Sequence, residues 1–209
     1  MTIWSAAVFS PFSTIIFMCD YRKLIVITNR HLCGGDFAAQ IEKVCALDPG
    51  SLVLREKDLS DDEYEALAMQ ISGICEKHGV TFYIHSHIDL AIKHGFKSIH
   101  LPVSALRECK NNLRCFENIS VSCHSEEDVK LAEKAGASRI ILGTVFETEC
   151  KPGFEGRGLA FVKEICKKTA LPVYAIGGIT PQNLGSVIEA GAAGGCMMSG
   201  FMKMQHERE

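Results

Sequence analysis

The stretch Ile119-Ser-Val-Ser-Cys-His-Ser-Glu-Glu-Asp-Val-Lys-Leu-Ala-Glu-Lys-Ala-Gly-Ala-Ser-Arg-Ile-Ile-Leu142 decides the fold. It opens with a short apolar, β-branched run, Ile119-Ser-Val121, of the kind found in buried strands. Ser125, with Asp128 three residues on, has the spacing of a capping box at a helix start. Gly136 supplies the stop signal, because glycine accepts the left-handed backbone that ends helices. Arg139-Ile-Ile-Leu142 is then a second strand-like run. The segment is one strand, one capped helix and the next strand.

Working outward, the same unit recurs. Strand-like runs fall at Leu24-Ile-Val-Ile27, Leu52-Val-Leu54, Thr81-Phe-Tyr-Ile84, Ser98-Ile-His-Leu101, Val173-Tyr-Ala-Ile176 and Gly195-Cys-Met-Met198. With the two above they make eight. Helical faces lie between them: Phe37, Ile41, Val44 and Cys45; Tyr64, Leu67, Ala68, Ile71, Ile74 and Cys75; Leu159, Val162, Ile165 and Cys166; Leu184, Val187 and Ile188. Ser60 with Glu63 is another capping box, Thr180-Pro181 reads as a cap before a first-turn proline, and Gly79, Gly95 and Gly191 are further stops. Evenly spaced strand–helix units predict an α/β fold, a (β/α)8 barrel over residues 18–209 with a short last helix. An open doubly wound sheet explains the even spacing less well.

The chain has 209 residues, a net charge of −3 and 22% charged residues, values of an ordinary globular protein without the basic excess that nucleic-acid binding needs. Residues 1–17 are apolar but interrupted by Pro11 and lack a basic start, so neither a signal peptide nor a membrane span is expected. They read as a disordered extension, such as an upstream start codon would add. No two of the ten cysteines have the spacing of a zinc site, and several fall on apolar faces, which predicts a reduced, cytoplasmic protein.

In such a barrel, residues at the C-terminal ends of strands build the site. Strand 2 runs into Arg55-Glu-Lys57-Asp58, and strand 5 into His124 ahead of a capped helix. His124 is the candidate acid–base residue, since imidazole titrates near neutral pH. Arg55 and Lys57, with Thr148 and Lys151 from the strand-6 loop, are candidates for holding an anionic substrate. Gly177, Gly178, Ser199 and Gly200 end strands 7 and 8, where small residues leave backbone N–H groups open to phosphate. His85 and His87 lack a carboxylate or cysteine that would complete a metal site.

Several of these segments are recognisable together. Leu54-Arg-Glu-Lys-Asp58, Ser122-Cys-His-Ser125 with Glu127, Gly143-Thr-Val-Phe-Glu-Thr148, Lys151 and Ala175-Ile-Gly-Gly-Ile179 resemble the thiamine phosphate synthase superfamily, from about Leu24 to Phe201. Val145-Phe-Glu-Thr-Glu-Cys-Lys151 with Gly153-Phe-Glu-Gly-Arg-Gly158 is similar to its TenI branch, the thiazole tautomerases. The synthases hold Mg2+ and pyrophosphate with an Asn-Asp pair after strand 3 and an Asp after strand 4. This chain has His85-Ser86, which departs from the TenI pattern as well because TenI members keep the Asn-Asp pair, and Pro102-Val-Ser-Ala-Leu106, which has no acid. Glu56 and Asp58 remain, with Arg55 and Lys57 beside them to compete for their charge.

The resemblance therefore implies an isomerase of thiamine biosynthesis that aromatises a phosphorylated carboxythiazole. His124 would move the proton, and neither metal nor cofactor would be required. A Mg2+-dependent thiamine phosphate synthase and a non-catalytic binder of thiazole or thiamine phosphates are the alternatives. The expected partner is the small phosphorylated thiazole, not nucleic acid or membrane, and a homo-oligomer is compatible with the reading.

Overall fold

A computed structural model describes residues 19–107, 112–148, 153 and 155–204. The extension read over residues 1–17 lies outside them, as do Cys109, Cys150 and Lys151. Eight parallel strands pair in chain order and close on themselves: β1 (Leu24–Ile27), β2 (Ser51–Leu54), β3 (Phe82–His85), β4 (Ser98–Pro102), β5 (Asn118–Cys123), β6 (Arg139–Gly143), β7 (Val173–Ile176) and β8 (Gly194–Met197). Closure is set by β1 lying against β8, with Ile25 opposite Cys196. A Cβ on Gly194 would stand 2.0 Å from the Lys23 carbonyl, so glycine is what lets the first and last strands meet.

Seven α-helices are present among the described residues: α1 (Phe37–Cys45), α2 (Asp61–His78), α3 (Ile88–Lys93), α4 (Glu126–Lys134), α5 (Gly158–Cys166), α6 (Leu184–Glu189) and α7 (Ser199–Met202). After β4 the described chain makes 3-10 turns, Val103–Arg107 and Asn112–Cys115, where the repeating pattern would place a helix. The Ser60–Glu63 capping box forms in full. Gly79, Gly95, Gly136 and Gly191 all take positive φ at helix ends, as their stop role requires. One start shifts: Thr180 and Asn183 bond each other's backbone N–H groups through their side chains. That turn delays α6 to Leu184.

The strand residues divide by alternation. Leu24, Val26, Leu52, Leu54, Ile84, Ile99, Leu101, Val121, Ile140, Leu142 and Ala175 are buried between the barrel and its helices. The opposite faces supply Ile25, Ile27, Val53, Tyr83, Ile141 and Cys196 to a smaller cluster inside the barrel. At β6's start Arg139 also lies inside, its guanidinium 3.9 Å from the Tyr83 ring centre and bonded to Ser51 Oγ. Burial lowers its pKa. No described helix is long and apolar enough to cross a membrane.

Candidate active site

The same alternation builds the mouth. On β2, Ser51 and Val53 face inward, so Arg55 faces inward and Glu56 faces the helix layer. On β3, His85 follows Tyr83 inward, and on β4 His100 lies between the outward Ile99 and Leu101. On β5, Ser120, Ser122 and His124 alternate with the outward Ile119, Val121 and Cys123. Four polar side chains from four neighbouring strands thus converge at one end of the barrel: Arg55, His85, His100 and His124.

Glu56 is 3% exposed. It accepts from Thr28 Oγ1 at 2.6 Å, from the Arg30 backbone N–H at 3.0 and 3.1 Å, and from Arg30 Nη1 at 3.3 Å. Thr28 Oγ1 in turn accepts from the Arg55 backbone N–H at 2.9 Å, so the β1 and β2 ends are tied together. Asp58 takes a two-pronged bond from Arg30, 2.6 Å on each oxygen, and a third contact from His31 Nε2 at 2.8 Å. Those partners hold its carboxyl well below the usual range. The rivalry with Arg55 and Lys57 expected for these two acids is therefore replaced by Arg30. For Glu56 the reason is alternation, which turns it outward to Thr28 and Arg30 and Arg55 inward; Asp58 lies in the turn that follows, within reach of Arg30.

Protonation of both His85 and His100 is disfavoured. Burial, followed by the charges of Arg55 and Lys57, pushes His85 down to about 4. His100 is buried more deeply and is lowered by burial first, then by its charged neighbours. Its Nδ1 and Nε2 meet Ser120 Oγ at 3.0 Å and Ser122 Oγ at 2.9 Å, which satisfies both nitrogens. The two rings lie 5.6 Å apart. Beneath His85, the Tyr64 hydroxyl donates to Leu54 O at 2.7 Å and accepts the His85 backbone N–H, while its ring stacks on His87 at 3.9 Å.

His124 is exposed at the β5 end and is oriented from three sides. Its Nδ1 lies 2.8 Å from the Gly143 carbonyl. A carbonyl only accepts, so Nδ1 carries the proton and Nε2 keeps its lone pair for the mouth. Its backbone N–H donates to Asp128 Oδ2 at 2.7 Å, and its carbonyl accepts from Arg157. Ser125 caps α4 as expected, but the Asp128 carboxylate reaches one residue further back than a capping box does, to His124.

Gly177 and Gly178 end β7 with φ of +103° and +62°, and Ser199 and Gly200 follow β8 beside them. Among the described residues, the Gly178, Ser199 and Gly200 N–H groups have no protein acceptor. The space in front of the two β7 glycines is less open than expected. A Cβ on Gly177 would lie 2.4 Å from Thr144 Cγ2, and one on Gly178 2.6 Å from Glu147 O. The strand-6 loop fills that volume, so these glycines serve loop packing as well as backbone exposure. Thr148 is half-buried in the same loop, and Lys151 lies outside the described residues.

The Mg2+ that the resemblance implies for a synthase finds no matching donors here. Hard cations require carboxylate oxygen. The β3 and β4 ends carry His85, Ser86 and Pro102, and both acids of the β2 end are bound to Arg30. No group of three or more His, Cys, Asp or Glu suited to a metal occurs among the described residues. Sequence reasoning missed Thr28, Arg30 and Arg157. The first two lie just after β1, so their position at a strand end was the available signal; Arg157 sits inside the Gly153-Phe-Glu-Gly-Arg-Gly158 segment, whose resemblance was the signal, but no role was read for it.

The sequence profile of thiamine monophosphate synthase matches residues 24–201. The thiamine-phosphate synthase of Coprothermobacter proteolyticus is 32% identical over 186 residues, covering 88% of this chain and 88% of that one. The thiamine-phosphate synthase of Clostridium novyi is 32% identical over 188 residues, covering 87% and 91%. The solved thiamine phosphate pyrophosphorylase from Pyrococcus furiosus superposes with a TM-score of 0.74 at 24% identity, over 89% of this chain and 90% of that one, a likeness of fold. These relatives bear the names of transferases, which overturns the isomerase expected from the sequence. The expectation leaned on a few loop residues and on the missing acids, whereas similarity to the synthases runs through nearly the whole barrel. By profile and by relatives alike, the chain belongs to the thiamine monophosphate synthase family.

Proposed function

We propose that the chain makes thiamine phosphate by group transfer. A thiazole phosphate nitrogen attacks the methylene carbon of a pyrimidine-methyl diphosphate. The N–C bond forms, the C–O bond breaks, and its electron pair leaves with pyrophosphate. No proton need be exchanged. The observation that carries this reading is the two-sided mouth: side-chain cations at the β2 end and open backbone N–H groups beyond β7 and β8 suit two separate phosphate-bearing groups.

Roles follow from position. Arg55 and Lys57 hold the diphosphate and stabilise the charge it gains on leaving. Gly177, Gly178, Ser199 and Gly200 hold the thiazole phosphate, with Thr148 and Lys151 from the neighbouring loop as further substrate contacts. His124 orients the reacting ring through Nε2, the nitrogen left over by Gly143. The eight free thiols among the described residues fit a reduced cytoplasmic setting.

The test is incubation with both substrates, following pyrophosphate release and product mass, with and without Mg2+. Equimolar thiamine phosphate and pyrophosphate are expected, and His124→Ala should lower turnover by about 10²-fold through lost positioning. Failure to form product under either condition would overturn the reading; binding of added thiamine phosphate without turnover would leave a binder.

A further inference from the structure

Two half-buried polar groups at the β2–β4 side of the mouth have bonding capacity that the protein leaves unused. The Arg55 guanidinium has no acceptor among the described residues, although both neighbouring acids are fully engaged nearby. Neither ring nitrogen of His85 has a hydrogen-bond partner there either, although its backbone N–H is fixed by Tyr64. Half-buried donors left this way are stabilised by a ligand that accepts from them.

We infer that this side of the mouth binds a diphosphate through Arg55 and the imidazole of His85, with no divalent cation between ligand and protein. This rests on the transfer reading above and gives its leaving-group side a definite chemistry.

The charge arrangement explains the choice. A diphosphate brings several negative charges, which a metal or protein cations must offset. A bridging metal needs protein carboxylates. Glu56 has three donor groups on it, and Asp58 is gripped by Arg30 and His31. Of the nearby acids, Asp61, Asp62 and Asp89 are exposed in the first turns of α2 and α3, and Asp61 pairs with His87 at 3.3 Å. Burial first, and then the two cations beside it, resist protonation of His85, so it offers one N–H without adding charge. The Arg55 guanidinium, whose two neighbouring acids are held by Arg30, is what a diphosphate oxygen meets.

Titration calorimetry with inorganic pyrophosphate tests this directly, on the whole chain, in EDTA and then in excess Mg2+. Binding is expected in EDTA, and Mg2+ should leave it unchanged or weaken it by complexing the free ligand. Arg55→Gln should weaken binding in EDTA about tenfold or more. His85→Asp, which adds a carboxylate, should weaken it similarly in EDTA and restore it with Mg2+; circular dichroism verifies that both variants fold. Binding seen only with Mg2+, no binding in either buffer, or a folded Arg55→Gln that binds like the parent would each overturn the inference. Metal-free binding without any coupling would retain this inference and reject the transfer reading. Coupling with strictly Mg2+-dependent pyrophosphate binding would do the reverse.

Discussion

The two sides of the barrel mouth present anion-binding groups in opposite ways. Beyond β1 and β2, charged side chains are sorted by strand alternation: Arg55 turns inward, while Glu56 turns outward to Thr28 and Arg30. Beyond β7 and β8, side chains are nearly absent and the backbone itself is offered. The first side depends on a buried Glu56, held by Thr28 and a half-buried Arg30, that keeps acid away from the ligand. The second depends on glycines whose conformation and packing leave no room for a Cβ. The lesson is that a charged mouth can be built from a sequence whose charges alternate in sign, provided the strand continues past its last ladder bond.

The comparison can be broken first at Glu56. Glu56→Ala removes the acceptor of a buried hydroxyl and a backbone N–H and strips Arg30 of one partner, so it should cost about 3–4 kcal/mol in urea unfolding. Asp58→Ala, whose side chain is 51% exposed, should cost much less, because solvent screens its ion pairs. Equal costs would mean that burial of Glu56 does not organise this side.

The glycine side is tested next. Gly178→Ala meets both a positive φ of +62° and the Glu147 carbonyl, so it should destabilise by roughly 2 kcal/mol even without ligand. A variant as stable as the parent, yet weak in binding thiamine phosphate, would reduce these glycines to making room for the ligand.

The last test is one of pH. His85 has a folded pKa of about 4, below its ordinary value of 6.5. Between those values the unfolded chain binds more protons, so the native state is favoured above about pH 6.5 and loses that advantage as pH falls toward 4. His100 adds a loss of the same sign. His85→Gln should flatten part of the decline between pH 6.5 and 4, read from urea midpoints; an unchanged slope would separate His85 from the pH response.

The barrel is legible in the sequence because its signals are local. Each strand is a short apolar run, and each glycine stop takes the positive φ its residue type allows. His124, Arg55 and the β7–β8 glycines are legible as strand-end residues. Other features are not local. Arg30's grip on Glu56 spans 26 positions, and the Gly143 carbonyl that fixes His124 lies 19 residues away. The α6 start moved because Thr180 and Asn183 bond each other, an interaction that a cap-and-proline pattern does not reveal. The isomerase expectation had a similar source, since reaction type depends on the whole pocket rather than on one histidine.

The most direct measurement is a crystal structure with thiamine phosphate and pyrophosphate bound together. The account predicts pyrophosphate on Arg55 and His85, and the thiamine phosphate ester against the backbone of Gly178, Ser199 and Gly200. His124 Nε2 should face the ring between them. Pyrophosphate on the β7–β8 glycines, or either ligand outside the mouth, would contradict it.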